Sequence, residues 1–522
     1  MDLCDKYLFD FINIYPPMND YLLYSKFTKK QGILPNHLSK SFVKKETKLN
    51  TEFIKLLQKK KEKSSCEEIL EYDLKFHRRL SSFDSGDFLL DINDNILFMY
   101  YEICMNKLTP LKNKSDYEDV MNRLKSLTSI TNDIINILEK GLKNKIMLNK
   151  LIIDYFIKKC QTILSNKISP KNVPSDIRKK FIKYIDNFII KNINKLYLFI
   201  IEKYYKNCIE KLGLCSYIKG KSYYDKLCKY NSLSSLTPQN IHEFGLNFLK
   251  QDLKLKKELA KKLKVDDIDD YISKNNKFYS SSSEILSDLN KQKDMMYKKL
   301  SKYFYDDIDK LYKIKPISAH NDNMTAYYYG PNNSNKGVGE FYMNISNPSN
   351  ISKYELLILS IHEGIPGHHY EGYLLYKSDK SDYVKTNLYS GYSEGWALYC
   401  ESLYEYDNDF EYYYSLQYKI ERSLRLIIDT GIHYLNWDYN KCFQFMKKYL
   451  NYSDEYIKNQ IFRYSSNPGQ AVSYKIGEQV ILHLKKDFMK KNSDIKAFHK
   501  IILDIGSCPL DILVKRYYEL IL

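Results

Sequence analysis

The sequence predicts a mainly α-helical protein, and three observations support this fold class. Apolar residues recur at helical spacing around residues 117–164 and 177–205. A helix start is marked at Thr237, whose hydroxyl can cap a helix that has Pro238 in its first position. Strand-like alternation is confined to a short stretch, residues 339–345, so we expect one small β element beside the active-site cleft.

The length of 522 residues allows two lobes or one large domain. Prolines at positions 170 and 174 mark a loop between helices, and a stretch rich in Gly, Asn, Pro and Ser covers residues 329–352. We expect an N-terminal helical half, residues 1–215, that covers a cleft in a catalytic half, residues 216–522. One continuous domain is the alternative.

The formal charge of +17 raises the question of a nucleic-acid partner. The lysines are spread singly and in pairs, with no arginine-rich arm and no nucleic-acid-binding motif. Residues 354–420, which carry the chemistry discussed below, hold eleven acidic residues against four lysines. We therefore expect a solvated lysine-rich surface and no nucleic-acid partner. A nucleic-acid-binding module is the alternative, and it would require a contiguous basic face.

The sequence also indicates a location. The ten cysteines are scattered without a CxxC pair, which favours free thiols in a reducing compartment. The first residues lack the basic segment and apolar run of a secretory signal. No apolar run approaches the roughly 20 residues that span a bilayer. We expect a cytoplasmic protein with no membrane partner.

The segment 354–369 carries the strongest chemical signal. Its apolar residues predict a buried helix that leads to His362 and Glu363, because they recur at i, i+3, i+4 and i+7. A His-Glu pair that follows such a helix is the first half of the HExxH zinc motif, in which the imidazole binds the metal and the carboxylate polarises its water. The apolar positions are Tyr354, Leu357, Ile358 and Ile361.

The pattern departs from HExxH because Pro366 stands where the second histidine would be. The next imidazole, His368, is six residues after His362, which in an undistorted helix would place it about 240° around the axis. We therefore predict that the helix ends or bulges within residues 364–367, so that both imidazoles converge. His369 is the alternative second ligand, and otherwise we expect it to face the substrate or support a ligand.

A catalytic zinc usually takes three protein ligands and leaves one position for water. Glu394 is the candidate for the third ligand, since it opens a second predicted helix and Gly395 beside it allows a close approach to a neighbouring helix. Glu401, two turns further on, could orient a ligand histidine. Together with His362 and His368, these residues predict a site for one Zn²⁺ per chain.

Two segments resemble a known family. HEGIPGHHYE at residues 362–371 and YSEGWALYCE at residues 392–401 closely resemble the HExxPGHH and EGWALY motifs of the family called domain of unknown function 885. The resemblance implies a mostly helical, zincin-like metallopeptidase fold, related to the thimet-oligopeptidase and carboxypeptidase Taq types. It implies no substrate. The similarity is thin before about residue 222 and continues through residues 236–246, 422–433, 463–477 and 498–510.

Three residues beyond the ligands are candidates for function, each with a packing alternative. His433 ends an apolar helix and could donate to an oxyanion, with Asp429 one turn back to tune it, or it could be a packed, hydrogen-bonded histidine. Tyr474 could donate to a tetrahedral intermediate, and Arg463 could clamp a substrate carboxylate. Structural packing is the alternative for both.

These features predict a zinc-dependent hydrolase of the peptidase type that acts on peptides or other small amides. Glu363 is the expected general base that takes a proton from the attacking water. Zinc hydrolysis of a non-peptide amide or ester is one alternative, and a catalytically silent peptide-binding scaffold is another. No exo- or endo-specificity and no oligomeric state are predicted.

Overall fold

The computed structural model describes residues 2–16, 32–81, 92–93, 95–105, 111–308, 312–317, 325–332, 337–406 and 408–521. The chain divides into two compact units. The first unit comprises Met1–Tyr223 and Ser465–Asn467, and the second comprises Tyr224–Tyr464 and Pro468–Leu522. The boundary that we expected after residue 215 lies near this division, and the predicted covering of a cleft stays a prediction.

The first unit is built from helices and has no β-strand among its described residues. A loop separates α7 from α8 at the two prolines, as expected, because Pro174 immediately precedes α8. The α-helices are α1 (Leu3–Ile14), α2 (Lys40–Gln58), α3 (Ser65–Ser81), α4 (Ile96–Cys104), α5 (Lys114–Leu124), α6 (Leu127–Asn144), α7 (Lys150–Ser165), α8 (Ser175–Ile185) and α9 (Lys191–Phe199). Shorter turns are π-helical at Asp186–Ile190 and Ile200–Tyr204, and 3₁₀ at Tyr205–Asn207 and Leu214–Ser216.

Two cysteines of the first unit correct the expectation of free thiols throughout. Cys4 on α1 and Cys66 on α3 form a disulfide bond. Helices α1, α2 and α3 pack on one another, which brings the two Cα atoms to 6.4 Å, a separation that a disulfide can span. The two residues are 62 positions apart, so no local spacing pattern announces the pair. The other eight cysteines are free, and six of them are buried.

After α10 (Gly220–Asn231), which spans the division, the described residues of the second unit form thirteen further α-helices and one small sheet. Its α-helices are α11 (Pro238–Leu263), α12 (Ile268–Asn275), α13 (Ser282–Tyr303), α14 (Leu356–Leu359), α15 (His368–Lys377), α16 (Asp382–Thr386), α17 (Ser390–Leu403), α18 (Asp409–His433), α19 (Tyr439–Tyr449), α20 (Asp454–Ser466), α21 (Ser473–Met489), α22 (Ile495–Ile505) and α23 (Leu510–Ile521). A π-helical turn lies at Ser360–Gly364 and a 3₁₀ turn at Pro348–Asn350.

The sheet has three strands, β1 (Lys313–Pro316), β2 (Ala326–Tyr329) and β3 (Glu340–Met343), in the order β1-β3-β2. β3 pairs in parallel with β1 and antiparallel with β2. Phe341 and Met343 are buried, which is the alternation that predicted a strand within residues 339–345. The prediction of a mainly helical protein with one small β element is confirmed.

The long helix α18 is the centre of the second unit. The helix α11 packs along it, and polar contacts between the two join His242 to Thr430 at 2.8 Å and Ser423 to Asp252 at 2.7 Å. These contacts run in opposite chain directions, so the two helices are antiparallel. The predicted start of α11 is also confirmed, since the Thr237 side chain accepts a hydrogen bond from the backbone of the new helix.

Every helix within the described ranges lacks either the length or the apolar character that a membrane crossing requires.

The close crossing of α17 and α21 generates a stability prediction. A Cβ on Gly395 would lie 2.5 Å from the carbonyl carbon of Gly477 and 2.6 Å from its Cα, and backbone atoms cannot turn aside. Gly395→Ala should therefore lower the free energy of unfolding by about 1–3 kcal/mol or more. Urea denaturation followed by circular dichroism measures the change.

Gly372→Ala in α15 is the matched control. A Cβ there would meet its nearest neighbours at 3.7 Å, which is ordinary contact, and alanine is favoured over glycine in a helix by about 1 kcal/mol. The control should be neutral or stabilising. A Gly395→Ala protein with the denaturation midpoint of the control would contradict the close crossing.

Candidate metal centre

The helix that leads to His362 ends where the sequence predicts. The α-helix α14 widens into the π-helical turn Ser360–Gly364, and the next residue, Ile365, is extended. The Ile365–Pro366 peptide bond is cis, and α15 begins at His368. The predicted break within residues 364–367 is therefore confirmed.

Two hydrogen bonds hold this break in place. The backbone N–H of Gly367 donates to the carbonyl oxygen of Ile361 at 3.0 Å, and a Cβ on Gly367 would collide with that oxygen and with the carbonyl oxygen of His362. The indole Nε1 of Trp396 on α17 donates to the carbonyl oxygen of Pro366 at 3.0 Å. Only glycine fits at position 367, and α17 is thereby tied to the interrupted segment.

The break brings His362 and His368 together with Glu394. The Oε2 atom of Glu394 lies 3.4 Å from His362 Nε2 and 3.6 Å from His368 Nε2, and one ligand atom from each residue lies within 4.8 Å of the others. The two imidazole rings are nearly perpendicular, with centroids 4.9 Å apart. Glu394 lies one turn into α17, which begins at Ser390, rather than at the start of the helix as expected.

The donor set fits a divalent cation. Glu394 Oε2 is buried and has no hydrogen-bond partner among the described residues. Burial raises the pKa of Glu394, but its interactions with His362 and His368 outweigh burial and hold this pKa well below its ordinary value. The carboxylate therefore needs positive charge beside it. Two imidazole nitrogens and one carboxylate oxygen are ligands that zinc commonly takes.

Glu401 orients His362, as predicted. Its Oε1 lies 2.8 Å from His362 Nδ1, so the Nδ1–H donates to the carboxylate and Nε2 faces Glu394. Arg422 Nη2 donates to the same Glu401 oxygen at 3.4 Å. Burial raises the pKa of Glu401, but Arg422 and His362 outweigh burial and hold this pKa below its ordinary value.

His368 has an outer pair of partners that the sequence analysis missed. The hydroxyl of Ser393 lies 3.2 Å from His368 Nδ1 and donates to Glu371 Oε2 at 2.8 Å. An Nδ1–H of His368 can therefore donate to Ser393, which passes the interaction to the buried Glu371. Glu371 stands three residues after His368 on α15, and this i, i+3 spacing is the signal that could have identified it.

Glu363, the predicted general base, follows His362 in the same π-helical turn and is buried. Burial raises the pKa of its carboxyl above the ordinary value, while the neighbouring imidazoles of His362 and His368 act in the opposite direction. The side chain is thus a buried carboxyl close enough to the three candidate ligands to interact with their charges.

His369, the alternative ligand, lies outside the group of three. It is fully buried, its Nδ1 is 2.7 Å from the phenol oxygen of Tyr328 on β2, and its ring packs edge-on against Tyr312. His368 rather than His369 therefore joins His362 and Glu394. The contact with Tyr328 places β2 beside the metal centre.

His433 is buried, with its Nε2 2.8 Å from the carbonyl oxygen of Tyr464 and its ring against Tyr224 at 5.2 Å. Burial lowers its pKa to about 4, so the imidazole is neutral near pH 7 and donates Nε2–H to the backbone. This geometry is that of the packed, hydrogen-bonded alternative. Asp429 accepts hydrogen bonds from the Tyr224 hydroxyl and from the backbone N–H of Gly469.

Arg463 and Tyr474 are brought together. Arg463 Nη2 donates to the Tyr474 phenol oxygen at 2.8 Å and lies 3.1 Å from Gln470 Oε1. Because the phenol oxygen accepts from Arg463, the Tyr474 hydroxyl proton remains available for another acceptor. The predicted substrate contact of Arg463 stays a prediction.

The burial of Asp429 generates a pH prediction. Burial raises its pKa from 3.8 to about 7, with the bonds from Tyr224 and Gly469 acting in the opposite direction. Below about pH 4 the carboxyl is protonated whether the chain is folded or unfolded. As the pH rises toward 7 only the unfolded chain ionises, so the folded protein should lose up to about 4 kcal/mol of stability.

Asp429→Asn lacks this titration, so the free energy of unfolding of the wild type relative to the variant should fall between about pH 4 and pH 7. Denaturation of both proteins across this range measures the difference. His433 is present in both proteins and its titration cancels in the comparison. A difference that is constant from pH 4 to pH 8 would contradict the assignment.

Comparisons with solved structures show where this fold occurs. A protein described as a candidate lipoprotein from Colwellia psychrerythraea superposes with a TM-score of 0.85 at 18% identity, over 99% of this chain and 98% of that chain. A candidate lipoprotein of unknown function from Shewanella oneidensis superposes with a TM-score of 0.75 at 16% identity, over 99% of both chains. At these identities the likeness is one of fold. No curated protein matches the sequence.

The sequence family is shown by a match that covers nearly the whole chain. The family model described as bacterial protein of unknown function, DUF885, matches residues 26–516, which include the metal centre and every candidate residue discussed above. The protein therefore belongs to the DUF885 family.

Proposed function

We propose that this protein is a zinc-dependent hydrolase of the peptidase type, with a zincin-like catalytic unit. The observation that carries the proposal is the convergence of His362, His368 and Glu394 across a helix break, with Glu363 beside them. Three protein ligands leave one coordination position for water, which is the pattern of catalytic rather than structural zinc. The supporting carboxylate of Glu401 adds the outer contact that metal-binding histidines commonly have.

A bound Zn²⁺ would supply a Lewis acid that lowers the pKa of a water molecule and polarises a substrate carbonyl. Glu363 takes the proton of the attacking water and delivers it to the leaving amine. Its burial suits the first half of this exchange, because a raised carboxyl pKa makes Glu363 a stronger proton acceptor. Glu401 and the pair of Ser393 and Glu371 hold the two imidazoles in orientation.

Tyr474 is the proposed donor to the tetrahedral intermediate. Arg463 donates to its phenol oxygen, so the hydroxyl proton is free for an oxyanion. His433 is left out of the mechanism, because its Nε2–H is bound to the carbonyl oxygen of Tyr464. His369 acts through Tyr328 as a support for the strand beside the site rather than as a direct substrate contact.

The proposed substrates are peptides or other small amides, and hydrolysis of a non-peptide amide or ester is the second candidate. The cytoplasmic location stays a prediction. The disulfide bond between Cys4 and Cys66 counts against it, because reducing compartments keep most cysteine thiols reduced.

The candidate site should bind about one zinc ion per chain. Protein loaded with zinc and dialysed should retain about one zinc per chain by plasma mass spectrometry. The double variant His362→Ala, Glu394→Ala should lose it, because a single remaining ligand cannot hold the ion. His483→Ala, which removes an exposed histidine of α21, is the control and should keep the metal. Stoichiometric zinc in the double variant would place the site elsewhere.

The second prediction concerns the general base. Glu363→Gln should keep zinc and lose roughly 10²–10⁴-fold in kcat, because the water loses its proton acceptor. A library of short peptides, with an ester and a non-peptide amide included, is the assay for the wild type and the variant.

The chain offers a matched control in a second His-Glu pair. Glu243 follows His242 on α11 but is exposed and has no metal ligands around it among the described residues. Glu243→Gln should leave kcat unchanged. Wild-type turnover in Glu363→Gln would refute the proposed base, and zinc binding without turnover of any substrate would favour the peptide-binding scaffold.

A further inference from the structure

Two buried arginines lie one turn apart on α18, and one of them contacts Glu401, the partner of the candidate ligand His362. Arg422 is 5% exposed and Arg425 is 7% exposed. Each has one carboxylate partner: Arg422 Nη2 donates to Glu401 at 3.4 Å and Arg425 Nη2 donates to Glu421 at 2.9 Å. The Glu401 oxygen that accepts from Arg422 also accepts from His362, so the arginines are linked to the candidate zinc ligands through one shared atom.

Most donors of these arginines have no acceptor. The Nε and Nη1 atoms of both Arg422 and Arg425 are buried without a hydrogen-bond partner among the described residues, and so is the phenol oxygen of Tyr464. Leaving a buried donor unsatisfied costs about 1–3 kcal/mol, and more for a charged group. Buried polar groups are satisfied in nearly all proteins, and although the Tyr464 phenol interacts with Arg425, the four buried arginine nitrogens call for a ligand that accepts hydrogen bonds.

The side chains around the two arginines indicate that this ligand binds closer to Arg425 than to Arg422. The guanidinium of Arg425 stacks on the Tyr474 ring at 4.3 Å, and this ring receives Arg463 at its hydroxyl. The Arg422 side is occupied by Glu401, which contacts both Arg422 and the candidate ligand His362. Stacking covers the face of a guanidinium and leaves its N–H groups in the plane for an acceptor.

We propose that Arg425 and Tyr464, with Arg422 at the edge, bind a carboxylate of the substrate. The proposal rests on the proposed function and specifies its substrate class as peptides that carry a carboxylate close to the scissile bond. A carboxylate has two oxygens that accept several hydrogen bonds, which suits the unsatisfied N–H groups of the two guanidiniums. Because these donors are shielded from water, a neighbouring side chain must shift before the substrate carboxylate can reach them. The adjacent side chain is the half-buried Tyr456, which donates to the same Glu421 oxygen as Arg425.

Arg463 is the candidate for a carboxylate clamp that the sequence offers, with structural packing as its alternative. The structure favours Arg425, because Arg463 Nη2 already donates to Tyr474 and lies within hydrogen-bonding distance of Gln470. A carboxylate can be the C-terminus of a peptide or an acidic side chain, and both present the same two oxygens.

Calorimetry on the zinc-loaded Glu363→Gln protein tests the subsite without turnover. The probes are acetyl-Ala-Ala-Ala with a free C-terminus, its C-terminal amide, and the C-terminal amide of acetyl-Ala-Glu-Ala. We expect at least one of the two carboxylate-bearing probes to bind 10-fold or more tightly than the uncharged amide. Preference for the free acid identifies the C-terminus, and preference for the glutamyl peptide identifies a side chain.

Adding Arg425→Gln should remove the preference, and Tyr464→Phe, which deletes one hydroxyl, should reduce it a few-fold. Arg425→Lys keeps the charge and should restore only part of it, because lysine lacks the planar donors. Arg178→Gln, at an exposed position of α8, is the control. Zinc content and circular dichroism show whether each variant is folded.

Equal affinity of all three probes for the Glu363→Gln protein would overturn the subsite, as would a preference that survives in folded Arg425→Gln. The failure of the proposed function is separate. If the zinc-loaded wild type hydrolyses no substrate while the carboxylate preference depends on Arg425, the subsite stands and the hydrolase proposal falls.

Discussion

The interruption of the helix between His362 and His368 sets the position of every group around Glu394. Six residues of regular helix would direct the two imidazoles to different sides. The π-helical turn, the cis peptide at Pro366 and the restart at His368 bring them within reach of one carboxylate oxygen. The interruption is in turn held by α17, since the indole of Trp396 donates to the Pro366 carbonyl. The same helix therefore supplies the third candidate ligand and the clamp that aligns the other two.

The imidazole of His362 bridges two carboxylates of that helix. Glu394 and Glu401 are seven residues apart, so they share a face of α17 and are separated by about 10 Å of rise. His362 fits between them, with Nε2 toward Glu394 and Nδ1 bound to Glu401. This arrangement fixes the orientation of the ring before any metal binds. The helix α17 must therefore pack closely within the helices around it. The backbone contact of Gly395 with α21 allows this close packing.

Local chemistry made much of this predictable. The helix break follows from Pro366 and Gly367, the start of α11 from Thr237, and β3 from its alternation. Contacts between residues that are far apart in the sequence were harder to predict. The bond from Cys4 to Cys66 spans 62 residues, and the contact of His369 with Tyr328 joins α15 to a strand 41 residues earlier. The packed state of His433 depends on the backbone of Tyr464, which has no sequence signature. Such contacts are set by how helices pack, and a pattern of spacing does not encode them.

Glu401 also explains why a carboxylate subsite would lie where the arginines are. Its Oε1 accepts from His362 and from Arg422, and Arg422 is one turn from Arg425 on α18. One oxygen thus fixes the distance between the candidate zinc ligands and the arginine pair, and it does so across two helices, α17 and α18. A shift of α17 would displace Glu394 and Glu401 together. The candidate metal site and Arg422 therefore depend on the same helix, and the proposed carboxylate subsite requires that dependence.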